Sequence, residues 1–349
     1  MKHYNLMKKI TAAAVSVSMA LSLAACSNGG GQTGSASSGS ASSGSGAPSG
    51  DGYKIAVVKQ LDHASLDEIA NAITARLDAI AEENHLTIDY QVYSGQDGSQ
   101  DLLNQIGTQV IADGVDAIIP IATTAAQLMT VAAEESKTPV IFSAISDPEA
   151  AELTGIDYVT GISDALNTQF ILDMMLAQNP DLKSVGLLYS LSEPNSTKPI
   201  AEAKAYLDSK GIKYVEATGN TTDEVISAVS TLKGQVDAVF TPTDNVVMKA
   251  ELANAPTFIE MGLPHYTGAD SFVRNGAFAT CGVTYTDLGT KTADLAYRAL
   301  TEGMDGLDDY YLMDGGIITV NTETAAALGI DYSVFDSMGQ VVEVTTTED

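Results

Sequence analysis

The 349-residue chain has no tryptophan, two cysteines and four histidines, and its 17 lysines and arginines are outnumbered by 45 aspartates and glutamates. Each shortage excludes something. A net charge of -28 with no basic cluster to offset it repels phosphate backbones and anionic headgroups, which argues against nucleic acid as a partner. His3, His63, His85 and His265 are scattered, so no zinc-ligand spacing is visible and no metal is expected. Asp97-Gly98-Ser99 resembles half of a calcium loop whose other acidic positions are missing, and reads as a solvated turn. The chain has no G-x-S-x-G elbow, no phosphate loop ending in G-K-[ST], no G-x-G-x-x-G after a strand and no H-E-x-x-H. Neither an enzyme nor a bound cofactor is therefore indicated.

Lys2, Lys8 and Lys9 precede an uncharged run from Ile10 to Ala25 that ends Leu23-Ala24-Ala25-Cys26. A basic head, an apolar middle and small residues before a cysteine describe an export signal, residues 1–25, cut ahead of a lipid-modified Cys26. The run is shorter than the ~20 apolar residues a membrane span needs and contains four serines and threonines. From Ser27 to Gly52 the residues are almost all Ser, Gly, Ala, Asn and Thr, a composition that buries no core and behaves as a tether over 26–52. With Cys26 lipidated, Cys281 has no disulfide partner and reads as a core residue. Membrane attachment is expected through the lipid alone, with the protein outside the cytoplasm.

Beyond Tyr53, strands and helices alternate, the pattern of parallel sheets covered on both faces. The expected order is strand Lys54 to Val58, helix Leu66 to Glu83, strand Thr87 to Tyr93, helix Gln100 to Ala112, a strand from Val115, a helix from Thr124 and a strand Pro139 to Ile145. The order then repeats through strand Ser184 to Tyr189, helix Ile200 to Lys210, strand Lys213 to Ala217, helix Thr222 to Leu232, a strand from Val236, helix Val246 to Met261 and strand Pro264 to Gly268. Val115-Asp-Ala-Ile-Ile-Pro-Ile-Ala-Thr-Thr has a counterpart about 120 residues on, Val236-Asp-Ala-Val-Phe-Thr-Pro-Thr-Asp-Asn. The fold class is α/β, with two similar doubly wound parallel-sheet lobes joined by a multi-strand hinge. Lobe 1 is assigned 53–160 and 283–314, lobe 2 161–282 and 315–345. Tyr310 to Asn321 is expected as a strand pair crossing the hinge, and Thr322 to Leu328 as a short helix.

A cleft between such lobes suits a small ligand, and polar clusters recur at the strand ends that would face it. Thr123 and Thr124 fall where a helix N-cap belongs, at a helix terminus that favours an anionic group. Ser146-Asp147, Asp270-Ser271, Asp244-Asn245 and the segment containing Glu193, Asn195 and Ser196 end other strands, and His63 lies just beyond the first. An amino acid needs acceptors for its ammonium and donors for its carboxylate. Asp244 and Asp270 suit the first role; Thr123, Thr124 and Ser146 suit the second.

These motifs, Asp62 to Asp67, Ala122 to Gln127, Phe142 to Pro148, Val159 to Asp164, Ser192 to Ser196, Pro242 to Asn245 and Asn275 to Ala277 among them, resemble the ABC-transporter substrate-binding lipoproteins of the tryptophan/tyrosine uptake type. The resemblance covers Tyr53 to Gly303. It implies a type I periplasmic-binding-protein fold, a monomer that delivers a small ligand to an ABC permease and its ATPase, and a cleft lined by the residues named above. It also implies that a helix from Leu288 to Leu300 packs on the first lobe. Gln60-Leu61 stands where the family commonly has a phenylalanine, and Thr123-Thr124 where relatives have Thr-Pro, so an amino acid is expected while an aromatic preference is weakened. A surface-anchored sensor or adhesion module of the same fold is the alternative.

Overall fold

The computed structural model describes residues 52–347. The signal, Cys26 and most of the tether lie outside the described residues. In chain order the first half runs β1 (Gly52–Lys59), α1 (Ala64–Asn84), β2 (Thr87–Ser94), α2 (Gln100–Ala112), β3 (Ala117–Ile121), α3 (Thr123–Ala132), β4 (Val140–Ser143) and β5 (Val159–Ser163). The second half runs α4 (Thr168–Gln178), β6 (Ser184–Tyr189), α5 (Thr197–Lys210), β7 (Lys213–Thr218), α6 (Thr222–Thr231), β8 (Ala238–Thr241), α7 (Asn245–Met261), β9 (His265–Thr267), α8 (Asp270–Arg274) and β10 (Ala279–Gly282). Then come α9 (Tyr285–Glu302), β11 (Tyr311–Leu312), β12 (Ile317–Asn321), α10 (Thr322–Leu328) and β13 (Gln340–Val344).

Two sheets result, ordered β11-β5-β4-β3-β1-β2 and β13-β12-β10-β9-β8-β6-β7. Five consecutive strands of each share one order, since β2-β1-β3-β4-β5 maps onto β7-β6-β8-β9-β10, and the only antiparallel pairing among the described residues is β10 with β12. The doubling read from Val115 and Val236 is thus a doubling of topology. Alternation explains the layers. Ile55 and Val57 of β1 bury against α1 and α9 on one face, while Ala56 and Val58 bury against α2 and α3 on the other. In the second sheet Val239 faces α6 and α7, and Phe240 faces α4 and α5.

Most expected elements are present with ends shifted by one to three residues. Two readings change. Tyr310 to Asn321 does yield two strands, but β11 joins the first sheet beside β5 and β12 joins the second beside β10, so they do not pair with each other. Thr123 and Thr124 are not caps: the cap position is Ala122, with φ 74° and no side-chain bond, and α3 starts at Thr123 itself. Pro120 sits in the middle of a fully buried central strand, which tolerates it because Ile118 and Ala122 donate to Pro139 O and Ser143 O on either side of the missing N–H. As the resemblance implies, α9 packs on α1. Gly289 makes this possible, since a Cβ there would lie 2.7 Å from both Ala72 Cβ and Ile69 O.

Candidate functional site

In both sheets the strand order reverses at the first strand, β1 and β6, so the helices after neighbouring strands leave from opposite faces and a crevice opens at the carboxyl ends. The two crevices face each other. Between them lies a cavity of about 340 Å³, counting its opening to solvent, lined from one side by His63, Ser65, Leu66, Ala122, Thr123, Ala144 and Ser146. The other side contributes Asn195, Thr243, Asp244, Asn245, Met248 and Phe272, and the crossings between sheets contribute Asp164 and Tyr285. Ala122 and Ala144 both have positive φ, 74° and 59°, where side chains are rarely tolerated, so backbone strain collects at this wall.

The sites expected from sequence sort into three groups. His63, Thr123, Ser146, Asn195, Asp244 and Asn245 line the cavity together. His63 caps α1, with Nδ1 accepting from the Leu66 N–H and Nε2 3.0 Å from Asn245 Oδ1; burial holds its ring down at about 4, so it is neutral. Ser146 Oγ lies 3.0 Å from both Asp164 Oδ1 and Thr243 Oγ1. Asn195 donates Nδ2–H to Thr243 O at 2.6 Å, leaving its buried Oδ1 without a partner.

Asp244 also lines the cavity, but its oxygens serve its own lobe. Oδ1 accepts from the Val246 and Val247 N–H groups as the cap of α7, and Oδ2 accepts from Ser190 N–H and Ser196 Oγ–H. Burial raises its carboxyl above the usual range against those four donors. Ser196 is therefore a support for Asp244 and does not line the cavity.

Five expected residues lie behind or beside the cavity. Thr124 donates its N–H to Gln60 Oε1 at 2.9 Å, a substitute for the missing cap. Asp147 caps Ala150 and pairs with Lys198 at 3.0 Å across the rim. Asp270 binds Arg274 at 2.6 Å, which also reaches Glu68 of the first lobe, and burial raises the Asp270 carboxyl although Arg274 opposes this. Ser271 Oγ meets Ser65 Oγ at 2.5 Å. Glu193, wholly buried, accepts from Gln60 and Asn245, and burial together with the Asp244 carboxylate pushes its carboxyl up.

Two central residues were not on the expected list. Asp164, at the exit of β5, is 6 % exposed, and its oxygens accept from Ser146 Oγ and, at 3.3 Å, from Tyr285 Oη. Burial raises its carboxyl, with both hydroxyls opposing, and the Tyr285 phenol is driven well above its usual range by burial and then by Asp164. Asp164 closes the Val159 to Asp164 run, which reads as a passage between lobes. The signal available was an acidic residue directly after an apolar strand at a crossing point. Leu66, Met248, Phe272 and Tyr285 supply the apolar wall. Among the described residues there is no cluster of His, Cys, Asp and Glu that could hold a metal, and no helix is long and apolar enough to cross a membrane.

Comparison with known proteins matches residues 54–337 to the family described as ABC transporter substrate binding protein. A tyrosine-binding protein of Clostridioides difficile is 26 % identical over 291 residues, covering 81 % of this chain and 83 % of the relative. Among solved structures, an ABC domain from Streptococcus pneumonia in complex with L-Trp matches with TM-score 0.76 and 30 % identity over 83 % of this chain and 99 % of that one. A ligand-free, open substrate-binding protein with adhesive properties from Clostridium difficile matches with TM-score 0.63 and 27 % identity over 84 % of this chain and 100 % of that one.

Proposed function

Because this chain belongs to the ABC transporter substrate-binding protein family, we propose that it captures a free aromatic L-amino acid between its lobes and presents it to an ABC permease. The observation that carries the reading is one cavity holding a desolvated carboxylate, Asp164, a helix N-terminus at Thr123, and a wall of Leu66, Met248, Phe272 and Tyr285. A zwitterion with an apolar side chain satisfies all three. Asp164 and the unpartnered Asn195 Oδ1 accept from the ammonium. Thr123 and the start of α3 favour the carboxylate. Phe272 and Tyr285 provide the aromatic surface that Gln60-Leu61 does not. The tyrosine and tryptophan named for the relatives support this choice.

The capture is a hinge motion. Residues 53–160 with 283–314 move as one body and 161–282 with 315–345 as the other; the strand membership of the two sheets supports this division except at Gly161 to Ser163, which belong to β5 of the first sheet. Family members act outside the cytoplasm as binding proteins rather than enzymes. Here Cys26 carries the lipid that holds the monomer at the membrane, beside the permease and its ATPase. Palmitate labelling that is lost in Cys26→Ala tests the anchor. Titration calorimetry with tryptophan, tyrosine and phenylalanine tests the ligand, and a Kd no tighter than about millimolar for all three defeats the assignment.

A further inference from the structure

Glu193 does not line the ligand cavity, yet two chains of hydrogen bonds from the first lobe end on it. One starts at the Thr124 N–H, which donates to Gln60 Oε1 at 2.9 Å, and Gln60 Nε2 then donates to Glu193 Oε1 at 2.8 Å. The other starts at the Leu66 N–H, 3.5 Å from His63 Nδ1. His63 Nε2 donates to Asn245 Oδ1 at 3.0 Å, and Asn245 Nδ2 donates to Glu193 Oε2 at 2.5 Å. Both chains begin at a backbone N–H, a group that donates and never accepts. That fixes the direction of every later bond. Gln60 must turn its carbonyl to Thr124 and its NH2 to Glu193. His63 must keep Nδ1 bare and carry its proton on Nε2, so Asn245 must turn its NH2 to Glu193.

Each chain crosses from the first lobe to the second once, at Gln60–Glu193 and at His63–Asn245. We propose that Glu193 is a positioning residue, the shared acceptor that latches the two lobes together behind the ligand, rather than a ligand contact. The proposal rests on the reading that these lobes open and close, but not on which ligand they hold. A carboxyl group can accept at both oxygens, whereas an amide presents an NH2 at one of the two positions and leaves one chain with donor facing donor. Burial and the neighbouring Asp244 push the Glu193 carboxyl up, and the bonds donated by Asn245 and Gln60 oppose this. Glu193→Gln, the isostere with an NH2 in place of one acceptor oxygen, tests the shared acceptor.

The test is hydrogen–deuterium exchange of the full-length protein with no ligand added, comparing wild type, Glu193→Gln, Gln60→Glu and the double variant. Glu193→Gln sets NH2 against NH2, and Gln60→Glu sets carboxylate against carboxylate. The exchanged pair restores every direction, because Thr124 N–H and the new amide at 193 both donate to the new carboxylate at 60, while the carbonyl at 193 still accepts from Asn245. Each single variant is expected to exchange about ten-fold faster at the peptides spanning 60–66, 122–126 and 243–248, with β1 and β8 unchanged as the folding control. The double variant is expected to return to within about three-fold of wild type. Wild-type protection in Glu193→Gln, or a double variant at least as open as the worse single one, overturns the latch. Because no ligand is present, failure of the amino-acid assignment leaves this outcome unaffected.

Discussion

Nε2 of His63, the residue that caps α1, lies 3.0 Å from Oδ1 of Asn245, the first residue of α7, and joins the two lobes across the cavity they enclose. Protonation would place a second hydrogen on Nδ1, opposite the Leu66 N–H. The ring's pKa in the folded protein, about 4, lies below the ordinary 6.5, so between these values the unfolded chain binds a proton that the fold refuses. The stabilisation is therefore complete above pH 6.5 and is lost as pH falls through about 4. An NMR titration is expected to find the His63 ring neutral down to pH 5. His63→Asn, which can still cap the helix, is expected to lose less stability than wild type between pH 6.5 and 4 in urea denaturation. A His63 ring titrating near 6.5 contradicts this.

Asp164 and Asp270 separate the two acidic roles. Asp164→Asn removes the charge that faces the cavity, and a charge-assisted hydrogen bond is worth about 1.5–3 kcal/mol. Calorimetry is expected to show amino-acid affinity falling roughly 10- to 150-fold. Asp270→Asn is expected to change affinity by less than about three-fold, since its carboxylate is engaged by Arg274 outside the cavity. Equal losses would place the ammonium elsewhere.

Gly289 lets α9 lie against α1 at a distance no side chain permits. Gly289→Ala is expected to cost about 1–3 kcal/mol in chemical denaturation, the usual result of overpacking. An unchanged midpoint would mean that the two helices separate at little cost.

Ala122→Gly should act in the opposite sense. Ala122 holds φ 74° and ψ 162°, a region essentially reserved for glycine, and strain there costs about 1–3 kcal/mol. Relief is expected to outweigh the added chain entropy of glycine, about 0.5–1 kcal/mol, and to raise the unfolding midpoint. A lowered midpoint refutes the strain.

Cys281 is 4 % exposed, and burial pushes its thiol up to about 11. Ellman's reagent at pH 7.5 is expected to leave it unreacted in the folded protein and to modify it in denaturant. Rapid modification of the native protein would show that the core around β10 opens.

The sheets were legible because their signals are local. The β-branched run Ile118-Ile119-Pro120-Ile121 needs two covered faces wherever it sits, and the repeated Val-Asp-Ala entries announce two such runs. The polar residues after them were legible as a set, since six of the twelve expected ligand residues meet at one cavity. What each one does was not legible. Asp244 looks like a free acceptor in sequence and is consumed by four donors of its own lobe. Glu193 looks like a cleft residue and is instead the end of two bond chains.

Chain order and side-chain chemistry determined two doubly wound lobes with polar strand ends, because a period-two pattern of burial and a capped helix start depend on neighbours a few residues away. Only tertiary structure decided which carboxylate is left facing the cavity. A hydrogen-bond acceptor is free or occupied according to donors that arrive from elsewhere. Tyr285, 121 residues beyond Asp164, and Gln60, 133 residues before Glu193, reach their partners only in the folded chain.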